Sequence, residues 1–330
     1  MFKRLQKLTQ TCLFLLCLIT IMSFLGKYWW VFDLLAHFRM QYILCALSGL
    51  IALAIINLIT GQINKKYIGI AILLSLINIY PVMGFYFQKG AIGQDVQPNN
   101  IIKVMSLNLY DQNNDYANTL IEIEHQDPDL LFLIEFTHKW ARNLSKLDAI
   151  YPYKITLPRK DSFGIALYSK TPFQEKDIKY WGDYRLPYVE ATLKTKPRDR
   201  LHILGFHTNV PLRQMKNKDN HDQLSFMLEQ ATKFKQPTII LGDFNNTPWS
   251  YSYQASIRGK NLYNAARRSL LYATWMKHLL GGLFIDHIIV TNDIYVQNWS
   301  IGNDIGSDHR AIIADIAILS CQMDNLYAIC

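Results

Sequence analysis

Cysteine is scarce in this chain, five residues in 330, and none lies between Cys45 and Cys321. A thiolate zinc centre or a cysteine nucleophile is therefore excluded from that whole stretch. Cys12, Cys17 and Cys45 sit in apolar runs and read as small packing residues, while Cys321 and Cys330 could pair only in an oxidising compartment. A Gly-x-Ser-x-Gly turn is missing too, which removes the usual setting of an esterase serine. Acidic residues are few at the start: residues 1–99 hold Asp33 and Asp95 against Lys3, Arg4, Lys7, Lys27, Arg39, Lys65, Lys66 and Lys89, a charge of +6 in a chain of +8. The +2 left for residues 100–330 is close to neutral, so basicity gives no argument for nucleic-acid binding. No internal repeat or low-complexity tract is present.

What the first third has in abundance is uncharged apolar sequence. Residues 9–26, 41–60 and 67–87 each approach the ~20 residues that cross a bilayer as helix. A cleavable signal peptide would account for the first run alone, so residues 1–87 are expected to form a membrane anchor of three transmembrane helices. Lys3, Arg4 and Lys7 precede the first span and Lys65 and Lys66 follow the second, which places both segments inside. Tyr28, Trp29, Trp30 and Phe32 between the first two spans resemble an interfacial aromatic belt. Three crossings then put everything after Phe87 outside; in a bacterial cell that is the periplasmic side of the inner membrane. Residues 88–100, QKGAIGQDVQPNN, have a linker's composition, and residues 101–320 are expected to form the catalytic domain, followed by a tail over 321–330.

Beyond the linker the pattern becomes short strands alternating with amphipathic segments. Helices are expected over Tyr116–His125 and Gln223–Phe234, and strands over Phe163–Ser169, Val189–Leu193 and Leu201–Phe206, with turns at Thr171-Pro172 and Lys196-Pro197. Six strand ends carry polar side chains: KVMSLNLY ends on Asn108, LLFLIEFT on Glu135, LHILGFHTNVP on His207 and PTIILGDFNNTP on Asp243 and Asn245, while LFIDHIIVT holds Asp286 and His287 inside a β-rich run and IGSDHRAII holds Ser307, Asp308 and His309 just before another. Loops at strand ends are where a rigid sheet lets side chains converge. Oxygen and imidazole donors without a thiolate describe a hard-metal site with acid–base helpers.

In order and spacing, SLN, LIE, HTxxP, GDFN, IDH and GSDH resemble the endonuclease/exonuclease/phosphatase superfamily of DNase I-like nucleases, sphingomyelinases and inositol-polyphosphate phosphatases. The resemblance covers residues 100–318. It implies an α/β four-layer sandwich, α/β/β/α, of two mixed sheets, here preceded by the membrane helices. It also implies a Mg²⁺ or Mn²⁺ ion held by Glu135, Asn108 and Asp308, with Asn108, Asn245 and His207 on the phosphate. His207, Asp243, Asn245, Asp286 and His309 would form the catalytic set, with Asp286 orienting His309 and with either Asp243 or His309 as the base. Many nucleases of the family carry an acid where this chain has Tyr110, which shifts the metal's weight onto Glu135. His287 alternates to the opposite face of its strand and reads as a satisfied core or surface histidine. Tyr184, Arg185, Trp249, Thr274 and Trp275 fall in loops that rim the cleft in this family. The expected activity is a membrane-anchored, divalent-metal-dependent phosphoester hydrolase; the alternative is an inactive scaffold on the same fold. Its partners would be the bilayer and a phosphoester, either nucleic acid or a lipid or small phosphodiester.

Overall fold

The computed structural model describes residues 2–61, 64–87, 90, 101–195, 200–268, 273–276 and 282–319. Most of the expected linker, the Lys196-Pro197 turn, Cys321, Cys330 and the tail lie outside them. The three uncharged runs form helices α1 (Phe2–Ser23), α3 (Arg39–Thr60) and α4 (Lys65–Tyr86), each of 22 residues. At 1.5 Å per residue each is about 33 Å long, the thickness of a bilayer's hydrocarbon core. All three are long and apolar enough to cross a membrane. Leu13, Ala46, Leu53, Ala71 and Leu74 pack them together. Their few polar groups find one another: Arg39 donates to Asn78 Oδ1 and to the Ser23 carbonyl, both at 3.3 Å, and Asn78 donates to Thr20 Oγ1 at 3.1 Å. Between α1 and α3 the aromatic segment makes a further helix, α2 (Trp30–Ala36).

From residue 101 the chain builds two six-stranded sheets. In chain order the elements are β1 (Ile101–Asn108), α5 (Tyr116–Gln126), β2 (Leu130–Ile134), α6 (His138–Asn143), α7 (Leu147–Ile150), β3 (Tyr153–Leu157), β4 (Ile165–Ser169), β5 (Phe173–Trp181), β6 (Leu186–Lys194) and β7 (Arg200–His207). There follow α8 (Gln214–Lys233), β8 (Thr238–Asp243), α9 (Tyr251–Ile257), β9 (Leu262–Asn264), β10 (Asp286–Thr291), β11 (Ile294–Ile301) and β12 (Ile312–Ile318). One sheet runs β11-β12-β1-β2-β4-β3 and the other β5-β6-β7-β8-β10-β9. Each is mixed, with one parallel pair, β1/β2 and β7/β8.

The strands' period of two creates the layers. In β2, Leu130, Phe132 and Ile134 enter the core between the sheets with Val104, Ile203, Ile239 and Leu241, whereas Leu131 and Leu133 face outward beneath Ile123 of α5 and Trp140 of α6. On the far side Leu204 and Ile240 face Leu224, Met227 and Leu228 of α8. Each such side chain stabilises the fold by about 1.5–3 kcal/mol relative to exposure, which is why runs such as LLFLI are apolar on both faces. At Gly205 the facing sheet leaves no room for a side chain: a Cβ would stand 2.7 Å from the Phe132 ring.

Two expectations need correction. The helix expected from Gln223 begins at Gln214. Its first turns, QMKNKDNHD, have no apolar stripe and are held by tertiary hydrogen bonds instead: Asn220 Nδ2 donates to Thr208 Oγ1 and the Asn209 carbonyl at 2.8 Å and to the Phe244 carbonyl at 3.0 Å. Strands β3, β5, β9 and β11 had no counterpart in the sequence reading. All four are sheet edges, where one side lacks a neighbour and the apolar pattern that reveals a strand is weakest.

Candidate active site

Register brings the polar residues together. His207 lies opposite Asp243 across the parallel β7/β8 pair, and Asp243 lies opposite Asp286 across the antiparallel β8/β10 pair, so the three form a row at one end of their sheet. In the facing sheet Asn108 closes β1, Glu135 follows β2, and Asp308 and His309 precede β12, which pairs with β1. The backbone is shaped for this convergence. Glu135, Asn245 and Tyr110 have φ of 57°, 50° and 60°, left-handed values that cost a non-glycine residue on the order of 1–2 kcal/mol and that collect at functional sites. Gly242, at φ 145°, is a position only glycine fills, since a Cβ there would collide with the Phe206 carbonyl oxygen.

Asp243 is the hub. Its Oδ1 accepts from the Asn245 amide at 2.8 Å, and its Oδ2 accepts from Asn108 Nδ2 at 3.1 Å. The same Oδ2 lies 3.5 Å from His207 Nε2 and 3.7 Å from His309 Nε2. Burial, then the Asp286 charge, push the Asp243 carboxyl up to about 6, against the pull of His309 and His207. His309 Nδ1 is 2.8 Å from Asp286 Oδ2. Burial alone would lower this imidazole, but Asp286, Asp243 and Asp308 outweigh it and push it up to about 10. His207 Nδ1 faces the Ser162 carbonyl at 3.0 Å and its Nε2 faces Asn245 Nδ2 at 3.2 Å. A carbonyl can only accept, so Nδ1 carries the proton and Nε2 accepts from the amide.

Glu135 is joined to this hub through one amide: Asn108 Nδ2 also donates to Glu135 Oε1 at 3.2 Å, while the Asp111 amide donates to Oε2 at 2.9 Å. Asp308 Oδ2 accepts from Trp275 Nε1 at 2.9 Å, leaving Oδ1 buried with no partner among the described residues. An orphaned carboxylate oxygen beside lightly bonded Glu135 oxygens is what a hard cation's ligands require, so the residues fit Mg²⁺ or Mn²⁺. Asp243, Asp286 and His309 form a second acidic group, with ligand atoms within 4.8 Å of one another. Within it the tight Asp286–His309 contact already engages an imidazole nitrogen and a carboxylate oxygen, whereas Asp308 Oδ1 is left free for an ion. Glu135, Tyr110, His207, Asn245, Asp308 and His309 all line one cleft of about 580 Å³.

Several residues that shape the cleft had weak or no sequence signals. Ser307 Oγ donates to the Asn108 carbonyl at 2.8 Å and accepts from the His309 amide at 3.0 Å, tying the loop before β12 to the end of β1 in the same sheet. Thr274 Oγ1 receives the Ile285 and Asp286 amides at 3.1 Å. Phe163 packs on the His207 ring at 5.2 Å. Trp275 lines the cleft, but Trp249 turns away and donates to the His37 carbonyl at 3.0 Å, and Tyr184 and Arg185 occupy the β5–β6 turn outside the lining. His287 lies in the core, with Nε2 2.7 Å from the Asn246 carbonyl and Nδ1 2.9 Å from Asn264 Nδ2. Least visible in the sequence is the contribution of the α2 segment, whose Leu34, His37 and Phe38 also line the cleft.

Two mixed sheets face to face, with helices outside and carboxylates, amides and imidazoles converging at one end, define a four-layer hydrolase-type sandwich. The Endonuclease/Exonuclease/phosphatase family model matches residues 105–309, and the chain belongs to that family. No curated protein sequence matches it. Among solved structures it is similar to TDP2 of D. rerio complexed with single strand DNA product, at 16% identity and TM-score 0.56 over 66% of this chain and 98% of that one. It is similar also to an endonuclease/exonuclease/phosphatase from Beutenbergia cavernae, at 17% identity and TM-score 0.57 over 66% and 72%. The human Nocturnin catalytic domain with bound sulfate anion aligns at 21% identity and TM-score 0.53 over 68% and 96%.

Proposed function

We propose that this protein is a membrane-anchored, divalent-metal-dependent phosphoester hydrolase that activates water for attack on phosphorus. The observation that carries the reading is Asp243 Oδ2, set within 3.7 Å of two imidazole nitrogens and tied through the Asn108 amide to Glu135. Asp243 is ionised at neutral pH yet basic enough to take a proton from water, and we assign it the base. His309 holds its proton to about 10, so it serves as a cationic donor to a phosphate oxygen or to the leaving group, with Asp286 fixing its ring. His207 and Asn245 hold each other in place beside Asp243, and both line the cleft where the phosphate would sit. Mg²⁺ or Mn²⁺ held by Glu135, Asn108 and Asp308 would supply Lewis-acid charge to the non-bridging oxygens.

The test is a screen of the purified full chain, in neutral detergent, against bis(4-nitrophenyl) phosphate, single-stranded DNA and phospholipid, with and without EDTA. Turnover should vanish on chelation and return with Mg²⁺ or Mn²⁺. Glu135→Gln and His309→Ala should each lower kcat by about 10²–10³, the effect of removing one group that stabilises transition-state charge, with unchanged melting. Wild-type rates from both folded variants, or activity indifferent to EDTA, would remove the assignment. Calorimetric Mg²⁺ binding lost in Glu135→Gln but kept in His309→Ala would separately locate the ion.

A further inference from the structure

The cleft has a wall that does not belong to the sandwich. Asp33 of α2 is buried and caps the start of α9, accepting from the Tyr251 amide at 2.6 Å, the Ser252 amide at 3.2 Å and Ser252 Oγ at 2.5 Å. Phe85 at the end of α4 enters the inter-sheet core and packs against Phe284, ring centroids 6.1 Å apart. The sandwich is thus seated directly on the ends of the membrane helices. His37, one turn further along from Asp33, is 2% exposed and accepts the Thr247 amide at Nδ1, 3.3 Å away. An acceptor at Nδ1 leaves the ring proton on Nε2. That Nε2 faces no partner among the described residues, although His37 lines the cleft. Burial keeps the ring neutral by lowering its pKa, despite the opposing pull of Asp33. A buried, unpartnered donor in a cleft wall is a costly feature unless a ligand satisfies it.

Its surroundings say what that ligand is. Leu34 and Phe38 flank His37 on the wall, and two residues further on Arg39 begins the span α3. Tyr28 and Trp29, 77% and 47% exposed, mark the same end of the bundle as the headgroup zone. Val210 and Leu212, in the same lining, are exposed apolar residues, and Lys216 is the one lysine or arginine among the described lining residues. A nucleic-acid track needs a row of cations, which this lining lacks.

Resting on the phosphoester reading above, we propose that the substrate is an amphiphilic phosphoester resident in the membrane. His37 Nε2–H would bind a polar oxygen beyond the scissile phosphate while Leu34 and Phe38 guide the apolar chain from the bilayer.

The experiment measures binding of dodecylphosphonate, methylphosphonate, 2-(dodecyloxy)ethylphosphonate and a short single-stranded DNA to the full chain in maltoside micelles by calorimetry. None of the phosphonates can be hydrolysed at its C–P bond, so binding is read apart from turnover. Dodecylphosphonate should bind at least about tenfold more tightly than methylphosphonate, and Phe38→Ala and Leu34→Ala should each cut that preference severalfold, while 2-(dodecyloxy)ethylphosphonate, which carries an ether oxygen beyond the phosphorus, should gain a further severalfold that His37→Phe removes. Ile121→Ala, exposed on α5, should leave both unchanged. Should His37→Phe fail to melt cooperatively, the two wall variants decide, since Leu34 and Phe38 are half-buried. Equal binding of dodecylphosphonate and methylphosphonate, tighter binding of DNA, an undiminished preference in folded wall variants, or an ether gain that survives in folded His37→Phe overturns the proposal. Intact chain-length preference without turnover of any phosphoester would refute the hydrolase reading alone; DNA turnover without the preference would refute this one alone.

Discussion

Two histidines away from the cleft set how the protein meets acid. His202 stacks on Phe234 at 3.5 Å and His287 is enclosed by Asn246 and Asn264; burial lowers each to about 4, helped at His202 by Lys179. An unfolded chain protonates these rings below about 6.5, whereas the folded chain does not until about 4, so the unfolded state binds more protons in that window. Stability should therefore fall as pH drops from 6.5 to 4, by on the order of 2 kcal/mol per histidine at pH 5. Replacing His202→Phe should flatten the decline of melting temperature with pH; an unaltered slope would show that the ring titrates freely. At this scale much of the site was legible. Asn108, Glu135, His207, Asp243, Asn245, Asp286, Asp308 and His309 each sit at one end of an apolar run, and strand ends leave short polar side chains few other uses. Their division of labour was not legible, because whether His309 or Asp243 takes a proton depends on which carboxylates surround the ring, and those come from distant strands.

Among the elements, α2 and α9 form the coupling to test. Asp33→Ala removes an acceptor shared by two amides and a hydroxyl, and should lower the stability of the α9 end by about 1–2 kcal/mol. Hydrogen exchange at Tyr251 and Ser252 should accelerate while exchange in the inter-sheet strands β1, β2, β7 and β8 holds; unchanged exchange at both amides would deny the cap. The central strands were readable because burial on both faces enforces Leu, Ile and Phe in unbroken runs. Edge strands such as β5, EKDIKY at its centre, carry the composition of a surface loop, and the first turns of α8 carry that of a linker. In both, backbone pairing or tertiary hydrogen bonds supply what the side-chain pattern does not announce.

For the molecule as a whole, the side of the membrane is the decisive prediction. The α1–α3 connection and the chain after α4 leave the bundle at one end, and both touch the sandwich, as three crossings require. With Lys3, Arg4, Lys7, Lys65 and Lys66 at the opposite end, the sandwich is expected outside. A C-terminal alkaline phosphatase fusion should be active and a green fluorescent fusion dark; the reverse pair of results would mean an inward-facing sandwich. The three long apolar helices were legible in the sequence, since each is an uncharged run of about the length that crosses a bilayer. Their docking was not, because Asp33 and Tyr251 are 218 positions apart and neither residue is unusual where it stands. That separation also fixes an order of assembly. The Asp33 carboxylate and the His37 ring leave the ribosome long before residues 247–252 exist to meet them. The cleft wall is consequently completed only when residues 247–252 return to the α2 segment, and a protein lacking residues 1–87 would keep the proposed catalytic residues without that wall.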